Sequence, residues 1–558
     1  MTAPLKALGG SFDMAGSSGR GAAFVSAGIQ LSRLAGLIRT SVFSYYFGLG
    51  PLATAFFAAT RIPNFLQNLL GEGVLSASFI PVYTSLRARG RESEAAALAN
   101  AVLGLLAGIV GLLVAAGLVW TPFFVDAIAP GLSTSTRELT IELVRIIFPG
   151  TGVLVLSAWC LGVLNSHRRF FLSYVAPVAW NLTIIGALVL WGRSESAPSL
   201  ITIAAWATVA GSVLQFVVQL PLVFSLLRAL NKEPATGPSA SLKEVIAGFV
   251  PAFISRGVVQ VSAYLDTAYA TLLSERALAA LVSAQTLSLF PISAFAMAIS
   301  AAELPEMAEE ATLEDSKRRE LLRDRLTTAL ERMAFFMVPS TFALLALGDA
   351  LAGLLFQHGR FTAADSRFAW YLLIGSSLGL WAQAAGRLYS SAFYALKDTR
   401  TPLRFSVIRV VLTAAAGAGA VMLARELRVP AEAATMALTL ASGSLAWVEY
   451  ALLRGALHRK AELAPVRIGS LGKVVIAAAM AAAATLAVKA FLTAQLGANP
   501  RVLEEWGGAV LAAPNLNAKW AGLIAVAIFA LTYAAATYAM KVPLARQLVS
   551  RLTRRGSK

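Results

Sequence analysis

Cysteine occurs once in these 558 residues and histidine three times. The lone Cys160 excludes a disulfide framework and any cysteine-held cluster, and its place in an apolar run suits a small buried thiol. His167, His358 and His458 fall far apart in predicted loops, where solvated or headgroup-level positions suit them better than metal binding. Charge is scarce as well: 14% of residues are Asp, Glu, Lys or Arg against 57% hydrophobic, too few to build a water-soluble surface over so long a chain. Also missing are a Walker glycine loop, an HExxH pair and a nucleophile elbow. The chain therefore reads as no enzyme and no ATP-driven pump. Transport would draw on an ion gradient, the membrane potential or the substrate's own gradient, without a cofactor.

What is abundant is apolar sequence. Runs of roughly 20 residues, enough to cross about 30 Å of hydrocarbon, recur from residue 22 to residue 541. The predicted spans are 22–48, 52–86, 98–126, 138–164, 170–192, 200–228, 244–273, 277–304, 327–357, 366–396, 402–424, 431–457, 470–492 and 518–540. The fold class is thus an all-α polytopic membrane protein with about 14 transmembrane helices. The net charge of +17 finds its explanation in topology rather than in nucleic acid. With the tail 1–21 inside, the basic clusters at Arg87/Arg89/Arg91, Arg168/Arg169, Arg228/Lys232/Lys243, Lys317 to Arg325, Lys397/Arg400/Arg404, Arg454 to Arg467 and Lys541 to Lys558 all fall on the cytoplasmic side. An even number of spans returns the C-terminus there.

The polar interruption near 229–243 contains Pro234, Gly237 and Pro238 and reads as a hinge between two halves. The predicted organisation is a tail 1–21, an N-lobe 22–230 of six helices, a linker 231–243, a C-lobe 244–457 of six helices, a helix pair within 458–540 and a basic tail 541–558. A second polar stretch, 305–326, alternates acidic and basic residues. Two echoes relate the halves. Pro63 and Pro81 in the second span parallel Pro291 and Pro305 in the eighth, and the loop Asn165-Ser-His-Arg-Arg169 parallels Lys397-Asp-Thr-Arg-Thr-Pro402. Repeated halves around a midplane site are a common transporter plan. Small-residue clusters such as Ala414 to Ala420 and Ala477 to Ala484 suit close helix packing.

The candidate chemistry lies in charge placed inside predicted spans: Arg33 and Arg39 in the first, Arg61 and Glu72 in the second, Arg256 and Asp266 in the seventh, Arg387 in the tenth and Arg409 in the eleventh. A guanidinium in hydrocarbon costs about 2.5–3.5 kcal/mol or more, so these groups should face protein or water. A planar, permanently charged fork suits a phosphate or diphosphate. Arg33 and Arg39 lie about 120° apart on an ideal helix, so sharing one ligand would need a kink at Gly36. Internal ion pairs are the competing explanation, weightiest for Arg61, Glu72 and Arg409.

The segments Ser32-Arg-Leu-Ala-Gly-Leu-Ile-Arg39, Tyr46-Phe-Gly48, Ala55-Phe-Phe57, Arg61-Ile-Pro-Asn64, Gly71-Glu-Gly73 and Ser78-Phe-Ile-Pro81 closely resemble the opening of the MurJ (MviN) family. Pro177 and Asn181, Phe356 to Thr362 (FQHGRFT) and Phe393 to Pro402 (FYALKDTRTP) extend the resemblance over nearly the whole chain. It implies a flippase of the multidrug/oligosaccharidyl-lipid/polysaccharide superfamily that moves lipid II, the undecaprenyl-diphosphate-linked peptidoglycan precursor, to the outer leaflet of the bacterial inner membrane. It also implies two six-helix lobes around a cationic cavity, a final helix pair grooved for the polyprenyl tail, and cell-wall synthesis proteins as further partners. By position, Arg33 and Arg39 match the family's functional first-helix arginines, Arg387 a basic position in the tenth helix and Glu72 the GEG/AEG motif. Thr54, Gln67-Asn68 and Thr286 depart from acidic or basic residues common in the family. Those departures leave open a paralogue moving another polyprenyl-linked glycan, and with less support a drug or cation antiporter or a non-transporting scaffold.

Overall fold

A lipid solvent offers no partner to a backbone N–H or C=O, so a chain that lives in it must satisfy those groups within each segment. The computed structural model describes residues 17–230, 239–311, 313–462, 468–495 and 518–555, and every regular element among them is helical. In chain order these are α1 (Ser17–Phe47), α2 (Pro51–Leu70), α3 (Glu72–Ala88), α4 (Glu92–Val119), α5 (Thr121–Ile128), α6 (Thr134–Ser166), α7 (Phe170–Trp191), α8 (Ala197–Leu230) and α9 (Ser239–Leu273). They continue with α10 (Glu275–Pro291), a π-helical turn (Ile292–Ala296), α11 (Met297–Glu310), α12 (Asp315–Phe356), α13 (Ala363–Leu378), α14 (Leu380–Ala395), α15 (Arg400–Glu426), α16 (Ala431–Lys460), α17 (Leu471–Gln495), α18 (Ala518–Ala539) and α19 (Pro543–Arg555). Among the described residues, 11 helical stretches are long and apolar enough to cross a membrane. The predicted tail 1–21, the linker 231–243 and the region 458–540 fall partly on residues outside the described ones.

Three predicted spans divide into separate helices: 98–126 parts at Trp120, between α4 and α5, and two others part at glycines. Span 52–86 divides at Gly71, whose N–H reaches the Gln67 carbonyl at 2.8 Å. A Cβ there would stand 2.2 Å from that oxygen, so only glycine makes this corner. Span 366–396 divides at Gly379 into two helices of 16 residues each. The cause is a close backbone crossing: a Cβ on Gly379 would lie 2.8 Å from Gly443 Cα, and one on Gly443 would lie 2.4 Å from the Gly375 carbonyl oxygen. Small residues let α13 and α16 approach to backbone contact.

Both sequence echoes have a structural counterpart. The break at Gly71 lies between Pro63 and Pro81, and the π-helical turn begins just after Pro291. The two basic loops share one turn. Arg168 and Lys397 are left-handed, at φ 58 and φ 57. Arg168 N–H donates to Asn165 O at 3.0 Å and Arg169 N–H to Leu164 O at 2.9 Å, as Lys397 does to Tyr394 at 3.0 Å and Asp398 to Phe393 at 2.9 Å. This paired pattern closes a helix by satisfying its last carbonyls. The polar stretch 305–326 is mostly helix, completing α11 and opening α12.

The chain divides into two compact units, Met1–Leu278 and Ala279–Lys558. In the first, α7 packs on α1 and α8, α6 on α2 and α8, and α3 on α9; the buried Trp159 of α6 donates to the Ala99 carbonyl at 3.0 Å. In the second, α16 packs on α13 and α15, and α12 on α13, α17 and α18.

Candidate functional site

The first unit carries a polar hollow at mid-length of its helices. Ser32, Gly36 and Arg39 follow one another at i, i+4 and i+7 and so share a face of α1, the face turned to α7: a Cβ on Gly36 would meet Asn181 Oδ1 at 3.8 Å. Arg39 extends over the indole of Trp180, its Cζ 4.6 Å from the ring centroid. Trp180 Nε1 donates to the Thr208 carbonyl at 3.1 Å, which fixes the ring that receives the cation. Arg33 stands about 100° round from Ser32, half-buried, and neither it nor Arg39 belongs to an ion pair among the described residues. The helix α1 continues through Gly36 without interruption, from Ser17 to Phe47.

Ser32 and Trp180 open onto a cavity of about 280 Å³ whose wall includes Asn64 and Gln67 of α2, Ser157 of α6, Asn181 of α7, and Gln215 and Gln219 of α8. None of its lining residues among the described ones is charged. Gln215 and Gln219, one helical turn apart, both donate to Ser157 Oγ, at 3.2 and 2.6 Å. Asn181 Nδ2 donates to the Pro177 carbonyl at 2.9 Å. Pro177 has no N–H to return to Ser173, which releases that carbonyl from the helical ladder; both residues line the cavity.

Arg61 points to the seam of α2 with α9. It interacts electrostatically with Asp266 and Tyr264, Tyr264 Oη donates to the Arg61 carbonyl at 3.2 Å, and Asn68 Nδ2 donates to Gln260 Oε1 at 3.0 Å. The structure therefore brings Arg61 and Asp266 together. The side chains of Glu72 and Arg256 lie outside the described residues. Two of the departures from the family pattern are absorbed locally. Buried Thr54 donates its hydroxyl to the Glu275 carbonyl, and Thr286 donates to Val282 of its own helix at 2.8 Å.

In the second unit Arg409 Nη1 pairs with Glu449 Oε2 at 2.9 Å, and Ser406 Oγ donates to the other carboxylate oxygen at 2.7 Å. Exposed Arg387 feels both members of that pair, so the group holds an excess of one positive charge. Glu449 was not among the charges that sequence reasoning singled out, nor was the buried pair in which Lys489 Nζ lies 3.0 Å from both oxygens of Asp349. Glu449 and Asp349 sit inside apolar runs and Lys489 near the end of one, which was the available signal.

Two of the segments that carry the family resemblance are built around turn chemistry. In FQHGRFT, Thr362 and Asp365 form a reciprocal capping box at the start of α13, which satisfies two orphan amides. In KDTRTP, Asp398 accepts from the backbone of Arg400 and Thr401, from Thr401 Oγ1 at 2.7 Å and from Lys460. Burial alone would raise its carboxyl, yet these bonds hold it well below the usual carboxylate range. His167 faces Tyr83 Oη at 2.9 Å. Burial, with Arg87 and Arg169 adding repulsion, pushes its imidazole down to about 4. His458 lies in the last turn of α16, not in a loop as the sequence suggested, because the helix runs on through the basic residues after the apolar stretch. Among the described residues no cluster of His, Cys, Asp or Glu could hold a metal.

The family model "Lipid II flippase MurJ" matches residues 43–503. The lipid II flippase MurJ of Burkholderia cenocepacia is 30% identical over 398 residues, 70% of this chain and 75% of that protein. A probable lipid II flippase MurJ of Rhizobium meliloti is 29% identical, over 68% of this chain and 71% of its own. The fold is similar to a solved lipid II flippase MurJ in an inward closed conformation, at TM-score 0.70 and 21% identity over 94% of this chain and 99% of that one. It is also similar to an inward-facing multidrug resistance MATE transporter, at TM-score 0.61 and 16% identity over 77% of this chain and 96% of that one. With a family model covering most of its length and an architecture matched almost end to end, this chain belongs to the MurJ family.

Proposed function

We propose that this protein is a transporter, a lipid flippase of the bacterial cytoplasmic (inner) membrane that carries lipid II from the cytoplasmic to the outer leaflet. The observation that carries this reading is Arg39: a permanently charged fork in the C-terminal half of α1, laid on Trp180 and engaged in no ion pair among the described residues. A half-buried intramembrane cation without a carboxylate among the described residues is expensive, and a diphosphate would supply the missing charge. Arg33, Arg39, Arg61, Glu72, Arg256, Asp266 and Arg387 form the proposed substrate-handling set. Arg61 and Asp266 act as a pair at the α2–α9 seam, and Arg387 acts beside the Arg409–Glu449 pair.

The mechanism is alternating access by two six-helix lobes within about fourteen spans, both termini cytoplasmic, with a final helix pair guiding the polyprenyl tail. An ion gradient or the membrane potential supplies the work, and cell-wall synthesis proteins draw on the product. The neutral residues Thr54, Gln67 and Thr286 favour, as the second reading, a relative that moves another polyprenyl-linked glycan. Rescue of a strain depleted of its own lipid II flippase separates the two. Growth supports lipid II as cargo, whereas a stably inserted chain without growth supports the other glycan.

A further inference from the structure

We infer that the neutral cavity of the first unit receives the sugar joined to the diphosphate, while Arg39 beside it holds the phosphate charge; this rests on the flippase reading. Two carbonyl oxygens carry the argument. Gln219 is 1% exposed and Asn181 5% exposed, both line the cavity, and Gln219 Oε1 and Asn181 Oδ1 have no hydrogen-bond partner. Buried acceptors left without donors cost free energy, and hydroxyl or amide N–H groups of a sugar are the donors they lack.

The composition of the wall points the same way. Among the described lining residues an anion would find no cation and a cation no carboxylate, whereas carboxamides and serine hydroxyls offer both donors and acceptors to a neutral polyol. The volume, about 280 Å³, lies near the lower end of the ~300–1,000 Å³ typical of small-molecule sites, a size for one sugar rather than a whole glycopeptide. Placement supplies the link to the charge, because the Trp180 that lines the cavity is the residue under the Arg39 guanidinium.

The test uses the full chain in nanodiscs and two ligands, a bare polyprenyl diphosphate and the same lipid bearing one sugar. Wild type should bind the sugar-bearing lipid more tightly. Gln219→Leu should weaken that lipid by roughly tenfold, the scale of one lost buried hydrogen bond, and leave the bare diphosphate unchanged. Gln215→Leu, at a half-buried position, should act in the same direction, and thermal melting of both variants identifies any loss of fold. Equal wild-type affinity for the two lipids, or a parallel loss of both in folded variants, overturns the sugar site while leaving the diphosphate reading in place. Failure of wild type to bind either lipid overturns the flippase reading and this inference with it.

Discussion

The Arg39 guanidinium lies over the Trp180 indole at 4.6 Å, and the same indole is held from its edge by the Thr208 carbonyl. A cation stacked on a tethered ring keeps its donors oriented, and no carboxylate among the described residues pairs with it. Arg39→Ala should therefore lower headgroup affinity roughly 30-fold or more, the scale of losing one desolvated charge contact. Arg39→Lys should recover only part, since an ammonium cannot present a fork. Translocation of a fluorescent lipid II analogue in liposomes measures this, and wild-type rates in Arg39→Ala would remove the arginine from the mechanism.

His167 makes a pH-dependent contribution at the end of α6. Its imidazole is held neutral against Tyr83, with a folded value of about 4 against about 6.5 when unfolded. The unfolded chain binds the proton more readily, so this contribution is complete above pH 6.5 and is lost as pH falls toward 4. The melting temperature of the detergent-solubilised protein should decline over that window, and His167→Gln should flatten the decline. An unchanged slope in the variant would assign the acid sensitivity elsewhere.

At the crossing of α13 and α16, Gly443 has no room for even one methyl group, since its Cβ would press on the Gly375 carbonyl at 2.4 Å. Gly443→Ala should destabilise by about 1–3 kcal/mol through overpacking. Gly419 on α15 has nothing within 4 Å of the same added atom, so Gly419→Ala should be neutral or slightly stabilising in a helix. Melting curves of the two variants should differ in sign or at least clearly in size. Equal behaviour would mean that the crossing relaxes.

Legibility in the sequence followed the physics of each feature. Hydropathy located the helices because lipid selects strongly for apolar runs, and the cost of charge marked Arg33 and Arg39 directly. It did not mark the corners at Gly71 and Gly379, since a glycine break depends on which backbone lies opposite. The partner of Arg409 lies 40 residues away and that of Asp349 lies 140 residues away, and no spacing rule on a single helix could join them. The cavity was least visible of all. The polar part of its wall is Ser, Asn and Gln drawn from five helices, residues that an intramembrane charge search passes over and that acquire meaning only when α1, α2, α6, α7 and α8 are packed.

The pair Asp349–Lys489 ties α12 to α17 with both carboxylate oxygens engaged and with Lys489 buried. Removing one member leaves the other charge buried without its partner, a loss of about 3–5 kcal/mol, whereas replacing both with apolar residues is often neutral. Lys489→Met should therefore destabilise sharply, and Asp349→Leu combined with Lys489→Met should recover most of the melting temperature. If the double variant folds well but translocates lipid poorly, the pair serves movement of the last helices rather than their anchorage. If it folds no better than Lys489→Met alone, the stabilising-pair account fails, and α17 must be held by its apolar contacts with α12 and α18.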